Sequence, residues 1–170
     1  LLVYYYENYV VMKLLIMGPP GVGKGTQAKK IIEFYNIVHI STGSLLRYEI
    51  RKKSDIGIEA AEFIDKGNLV PDKTLLAIVK KRLSEQDCDK GYILDGFPRT
   101  INQALGLEKI LEKMGTSLDL AISLHAEKDE LITRLIKRGF ESGRSDDNVK
   151  IIKERQKIYW EQTSPLLDFY

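Results

Sequence analysis

The chain has 170 residues, 44% of them hydrophobic and 29% charged, with a net charge of +2. That length fits one domain able to bury a real core, and the charge is too small to argue by itself for a nucleic-acid or membrane surface. The single cysteine, Cys88, excludes an intramolecular disulfide, so an oxidising compartment finds no support and a cytoplasmic setting is expected.

Residues 1–11, LLVYYYENYVV, are apolar and tyrosine-rich. They fall well short of the roughly 20 residues of a membrane helix and lack the basic start and small-residue cleavage site of a signal peptide. They read as an extension of unknown role before a core at 12–170. Lys13–Met17 is a short apolar run ending in Gly and Pro, which predicts a buried strand. A helix is predicted over Thr26–Tyr35 and a strand over Ile37–Ile40. Ser44–Lys53 and Ile56–Lys66 read as helices parted by Ser54-Asp55. Pro71 sits where helices begin, ahead of an apolar stripe of Leu75, Leu76, Val79 and Leu83. Tyr92–Leu94 reads as a strand ending at Asp95-Gly96, Asn102–Met114 as a helix and Leu118–Leu124 as a strand. Lys128–Lys137 reads as a helix, 139–147 as a polar loop and Val149–Gln162 as a helix, with Pro165 starting or kinking a last piece. Strands alternating with helices imply an α/β fold, a parallel sheet with helices on both faces. In such sheets ligands sit at the carboxyl ends of the strands.

The strongest signal is Gly18-Pro19-Pro20-Gly21-Val22-Gly23-Lys24-Gly25-Thr26, between a predicted strand and a predicted helix. That is the context of a phosphate-binding P-loop. Glycines let the backbone turn its N–H groups toward phosphate oxygens, and the helix N-terminus adds positive partial charge. Lys24 can reach the outer phosphates. Gly25 stands where the strict pattern has Ser or Thr, with Thr26 one residue later, so the loop departs from the pattern that sets a hydroxyl directly on magnesium.

The loop resembles that of the adenylate kinase family. Three further segments resemble the same family, in its order and spacing: His39-Ile40-Ser41-Thr42-Gly43-Ser44-Leu45-Leu46-Arg47; Asp95-Gly96-Phe97-Pro98-Arg99-Thr100 with Gln103; and Gly143-Arg144-Ser145-Asp146-Asp147 with Arg155. The resemblance runs from about Lys13 to Tyr170. It implies a P-loop NTP hydrolase-like fold and transfer of the terminal phosphoryl group of ATP to AMP, with magnesium. Such transfer needs alignment, charge stabilisation and exclusion of water rather than a protein nucleophile.

The resemblance also implies roles. Gly21, Val22, Gly23, Lys24, Gly25 and Thr26 would hold the ATP phosphates, with Arg138 on the ATP side. Thr42 would face the AMP base and Arg47 its phosphate. Asn68, Leu69 and Val70 would line the base and ribose. Gly96, Phe97, Pro98 and Arg99 would continue the AMP site, and Gln103 would bond the adenine edge. Arg144 and Arg155 would gather on the AMP side of the transferring group. Asp95, with Thr26 near, would hold magnesium through waters. Asp146 and Asp147 would anchor arginines or cap the next helix. Arg134 shares a helix face with Arg138 and would join the site or pair with an acid. ATP and AMP are the expected partners, with no nucleic acid or membrane, for a monomer.

Ser44 stands where the family usually has Asp, which bears on the local geometry of the AMP site; a serine there can still cap a helix start. His39 and His125 have no second His or Cys at ligand spacing, so packing or loop hydrogen bonding is expected rather than metal. The AMP-binding segment would span about 41–70. Between Arg138 and Arg144 there is room for a short lid only, about 139–147, and one cysteine rules out a cysteine-ligated zinc. Gly139 and Gly143 would be its hinges. The family continues past Tyr170 with one more strand and helix, so the chain is expected to be a truncated or incomplete form with an open edge at Leu118–Leu124. The rivals are a UMP/CMP kinase and a nucleotide-binding protein without catalysis. A P-loop GTPase would carry NKxD, which is absent.

Overall fold

The computed structural model of the chain describes residues 11–170. Four parallel strands, β1 (Met12–Met17), β2 (Val38–Ser41), β3 (Gly91–Asp95) and β4 (Leu120–Ser123), form one sheet in the order β2-β3-β1-β4. β3 is buried along its whole length, as apolar runs in a covered parallel sheet are. Alternate side chains of the central strands feed two layers. Leu14, Ile16 and Ile93 pack with Ala28, Ile31 and Ile32 of α1 (Lys24–Tyr35). Leu15, Met17 and Leu94 pack with α4 (Asp72–Leu83), α5 (Ile101–Lys113) and α8 (Leu166–Phe169), through Leu75, Val79, Leu107, Leu111 and Leu166. α2 (Thr42–Lys52) and α3 (Asp55–Ile64) stand beside the second layer, and α6 (Lys128–Ser142) and α7 (Val149–Ile158) complete the chain's helical cover.

Several boundaries differ from those expected, each for a tertiary reason. β4 is shorter because the Asp119 carboxylate takes the Lys13 N–H at 2.7 Å, replacing a strand partner. β4 pairs with β1 on one side, and Leu120 on it is exposed. The possibility that the tyrosine-rich start supplies a further strand falls on residues outside those described. α6 runs on through Gly139 to Ser142, so half of the expected loop is helical. Gly139 is therefore no free hinge: a Cβ there would meet the Asp147 carbonyl oxygen at 2.7 Å. The turn comes at Gly143, with φ +62°, and a 3₁₀ turn over Ser145–Asp147 follows. The helix beyond Ile158 widens into a π-turn at Tyr159–Thr163.

The α2–α3 corner rests on Gly57. A Cβ there would lie 2.2 Å from the Glu49 carbonyl oxygen and 2.4 Å from its carbon. Alanine normally gains about 1 kcal/mol over glycine inside a helix, but this contact is with backbone that cannot swing away. Gly57→Ala is therefore expected to destabilise the protein by about 1–3 kcal/mol. Urea unfolding measures it, and an unchanged or raised midpoint would contradict the close packing of α2 on α3.

Candidate active site

β1 ends in the middle of the sheet, and Gly18–Gly23 carry the chain from it into α1. Gly21 has φ +90°, and a Cβ on it would meet the Leu131 carbonyl oxygen at 2.7 Å, so no side chain fits. The backbone N–H groups of Gly21, Gly23, Lys24 and Gly25 donate to no backbone carbonyl among the described residues. They are the unsatisfied donors of a helix start, suited to an anion. The Lys24 ammonium lies over the loop, donating to the carbonyls of Gly18 at 2.7 Å and Pro19 at 3.1 Å. Burial pulls its pKa down from 10.5 to about 8, against the attraction of Asp95.

A cleft of about 650 Å³ opens beside this loop. Gly21, Gly23, Lys24, Gly25 and Thr26 line one wall; Arg47, Arg99, Arg134, Arg138, Arg144 and Arg155 line the others. These arginines come from α2, from the loop after β3, and from the α6–α7 region. Asp95 lies where β3 ends, its Oδ2 3.8 Å from where a Cβ on Gly25 would stand. Burial pushes the Asp95 carboxyl up, but the His39 hydrogen bond and the Lys24 charge outweigh it, and the net shift is downward. Next to the cleft is a smaller cavity lined by Thr42, Arg47, Asn68, Leu69, Val70, Gly96, Arg99 and Arg155. The fold thus brings most of the expected acceptor-side residues together.

Like charges this close need anchoring. Asp147, with no side-chain exposure, accepts from Arg138 Nε at 2.6 Å and Nη2 at 2.7 Å, and from Arg155 Nη1 at 2.8 Å. Asp146 holds Arg155 again, at 2.9 Å. The aspartates anchor the arginines; capping of α7 goes to Asn148, whose side chain accepts from the Ile151 N–H. Burial pushes the Asp147 carboxyl up, and its bonds to Arg138 and the charge of Arg155 overcome this, leaving the pKa below 3.8. Arg99 is pulled down to about 10 by burial and by Arg155, which leaves it charged at neutral pH. Burial and Arg144 lower Arg47. Arg134 faces the cleft and also pairs with Glu130.

Other residues stand elsewhere than expected. Gln103 is fully buried: its oxygen accepts from the Arg99 N–H at 2.7 Å and its nitrogen donates to Asp72 at 2.7 Å. It does not line the small cavity, and the Arg99 loop, which needs a partner for its N–H, has claimed the amide. Phe97 belongs to the apolar core, and only its neighbours Gly96 and Pro98 reach the cavities. The Thr42 hydroxyl donates to the Gly96 carbonyl at 2.9 Å. Ser44 caps nothing, because α2 starts at Thr42 with Ser41 before it; Ser44 contacts Ser41 and Arg47 instead. His39 lines the cleft and bonds Asp95 at 3.2 Å. The pattern around it gave no such signal, since its partner lies 56 residues away. Gln156, which reaches the Pro20 carbonyl at 2.9 Å, and Thr163, whose hydroxyl donates to the Arg99 carbonyl at 2.9 Å, also escaped the sequence reading.

A sequence model of the family described as adenylate kinase matches residues 16–170. The chain belongs to the adenylate kinase family. An adenylate kinase of Bifidobacterium longum is 48% identical over 159 residues, covering 94% of this chain and 86% of that protein. One of Leptospira biflexa is 49% identical over 158 residues, covering 93% and 85%. One of Methanosarcina barkeri is 41% identical over 185 residues, again covering 94% of this chain and 86% of the other. The longer match uses the same share of this chain, so that relative carries extra residues within the matched stretch.

The arginine anchor makes a stability prediction. Asp147 has a folded pKa below its unfolded value, so its stabilisation is complete above pH 3.8 and is lost as pH falls through the folded value. Asp147→Ala leaves the Arg138 guanidinium without its carboxylate and Arg155 with Asp146 alone, and is expected to cost about 3 kcal/mol at pH 7. The gap between variant and wild type in urea unfolding should narrow below pH 4. A gap that is absent at pH 7, or that persists unchanged at pH 3, would contradict the anchoring role.

Proposed function

We propose that this chain transfers the terminal phosphoryl group of ATP to AMP, giving two ADP. The observation that carries the reading is the convergence of arginines from separate segments on one P-loop, with a second cavity opening onto the same arginines. Binding one nucleotide would not call for cations on both sides of the transfer path. Family membership and relatives named adenylate kinase support the same reading.

In this proposal the stretch Gly21–Thr26 receives the ATP phosphates, through the free N–H groups of Gly21, Gly23, Lys24 and Gly25 and the Thr26 hydroxyl, with Val22 holding the loop against the core. Lys24 leaves its two carbonyls for the outer phosphate oxygens. Arg47 and Arg99 bind the AMP phosphate in planar, bidentate fashion. Asn68, Leu69, Val70 and Thr42 enclose its base and ribose, with Gly96 and Pro98. An AMP phosphate oxygen then attacks the terminal phosphorus of ATP, and the bond to the bridging oxygen breaks with its electrons staying on ADP. Arg138, Arg144 and Arg155 offset the charge spread over the moving group. Asp95, ionised and across from the loop, suits a magnesium ion held through waters, since that ion keeps several waters and needs one or two carboxylates besides phosphates. When bound, such an ion would neutralise and orient the outer phosphates of ATP. His39 holds the Asp95 carboxylate in place. Gln103, with its amide on Arg99 and Asp72, contributes to the base contact only if those bonds exchange. The short segment around Gly143 closes over the site to exclude water; the longer match to the Methanosarcina barkeri relative fits this chain's lid being the short type. Every residue named comes from one chain, so a monomer suffices. No helix among the described residues is long and apolar enough to cross a membrane, and water-soluble substrates fit a cytoplasmic setting.

An assay of ADP formation with ATP against AMP, UMP, CMP and GMP tests the reading. AMP should win clearly, and UMP or CMP used as well as AMP would make the chain a UMP/CMP kinase instead. No ADP with any acceptor, despite ATP binding, would leave a nucleotide-binding protein. Lys24→Met should lower turnover on the order of a hundredfold with the fold intact. Lys24 adds a pH signature. With a free-protein pKa of about 8 it is largely neutral at pH 9, and bound phosphates restore its proton. ATP binding at pH 9 should therefore take up protons, read by calorimetry in buffers of different ionisation heat. Uptake equal in wild type and Lys24→Met would refute the assignment of Lys24 to the phosphates.

A further inference from the structure

Gln156 lies on α7, next to Arg155, and is nearly fully buried, at 3% exposure. Its amide nitrogen donates to the Pro20 carbonyl at 2.9 Å, across 136 residues of chain. Its amide oxygen has no hydrogen-bond partner among the described residues. The assignment of nitrogen and oxygen is settled by chemistry: reversing the amide would set two acceptors face to face. A buried amide with one bond made and one acceptor empty gives little net stability, and an apolar side chain of like volume would serve packing as well. Stability alone therefore does not account for a glutamine here.

Pro20 stands inside the phosphate loop, directly before Gly21. Its carbonyl and the Gly21 N–H belong to one planar trans peptide, so they point in opposite directions. Tying the carbonyl to α7 fixes the direction of the Gly21 N–H, one of the loop's free donors. A turn bond from the Val22 N–H to the Pro19 carbonyl, long at 3.3 Å, spans the same peptide, and Gly21, with positive φ and no side chain, adds no side-chain restraint of its own. We infer that Gln156 is a positioning residue for the phosphate loop, holding the Pro20–Gly21 peptide in the orientation that receives the triphosphate and fixing the loop to the helix that carries Arg155. The inference rests on the ATP-binding reading above.

The consequence is selective. Loss of the amide donor frees one peptide on the ATP side and leaves the Arg47 and Asn68 side untouched. Calorimetric titration of the full chain with ATP and, separately, with AMP reads this, alongside the thermal midpoint. Gln156→Leu keeps the volume, removes the donor and removes the unpaired acceptor. It should weaken ATP binding on the order of tenfold, leave AMP binding within about twofold, and leave the thermal midpoint unchanged or raised. If the leucine variant does not fold, Gln156→Met carries the same comparison with an unbranched chain. Any result in which ATP loses no more affinity than AMP overturns the inference, whether both are unchanged or both fall together. Wild type that binds ATP and AMP while the variant shows no selective loss sinks this inference alone. Wild type that binds no ATP sinks it together with the proposed function.

Discussion

Positive charge concentrated on one cleft is the constraint that the rest of the structure serves. Arg47, Arg99, Arg138, Arg144 and Arg155 face the same space, and burial with mutual repulsion pulls Arg47, Arg99 and Arg144 below their usual values. Such a cluster would spread apart without a counterweight. Asp147 supplies it from a position sealed from solvent, bonding Arg138 from α6 and Arg155 from α7. The two helices cannot part without leaving a buried carboxylate or a guanidinium alone, which is costly. Gly139 belongs to the same arrangement, since only a glycine lets the 3₁₀ turn carrying Asp147 lie so close to α6.

The sheet brings the remaining parts to this cluster. β1, β2 and β3 are parallel, so their carboxyl ends lie together, and each runs into a segment that lines the cleft or the cavity beside it: the phosphate loop, Thr42 with Arg47, and Asp95 with Arg99. The segment from α7 to the π-turn then crosses these ends. It touches the phosphate loop through Gln156, the aspartates through Arg155 and the Arg99 loop through Thr163. A single helical piece thus sets three parts of the cleft against each other. The π-turn widens the helix where it reaches Arg99, which fits the occurrence of such turns at functional sites.

What was legible in the sequence was local. The phosphate loop announced itself because glycines, a lysine and a strand-to-helix transition sit within nine residues, and the parallel sheet followed from alternating apolar runs. The acceptor side was expected from segments resembling a family, and the cavity beside Thr42 gathers most of those residues. The differences arise where a contact outside the local pattern decides. Gln103 looked free to read a base, yet the Arg99 N–H lies four residues away in a turned loop and takes its oxygen. α6 ran longer than its apolar pattern because its polar end packs against Asp147 rather than against the core. His39 and Gln156 had no local signal, since Asp95 and Pro20 reach them only once the sheet has formed.

The buried lysine shows how folding and binding oppose each other at this site. The folded pKa of Lys24 lies below the 10.5 of the unfolded chain, at about 8. Below pH 8 both states hold the proton, and the folded one holds it in poor surroundings, so the charge opposes folding. Between pH 8 and 10.5 the unfolded chain binds more protons, and that opposition fades as pH rises. The same displacement works in favour of a polyanion. The Gly18 and Pro19 carbonyls offer the ammonium partial charges, whereas phosphate oxygens offer formal ones. The free N–H groups beside it gain partners at the same moment. A site that is electrostatically unsatisfied when empty binds its ligand partly by relieving that strain, and Asp95 is too little anion to relieve it alone. The cleft is in this sense built for the charge of two nucleotides rather than for its own comfort as a folded surface.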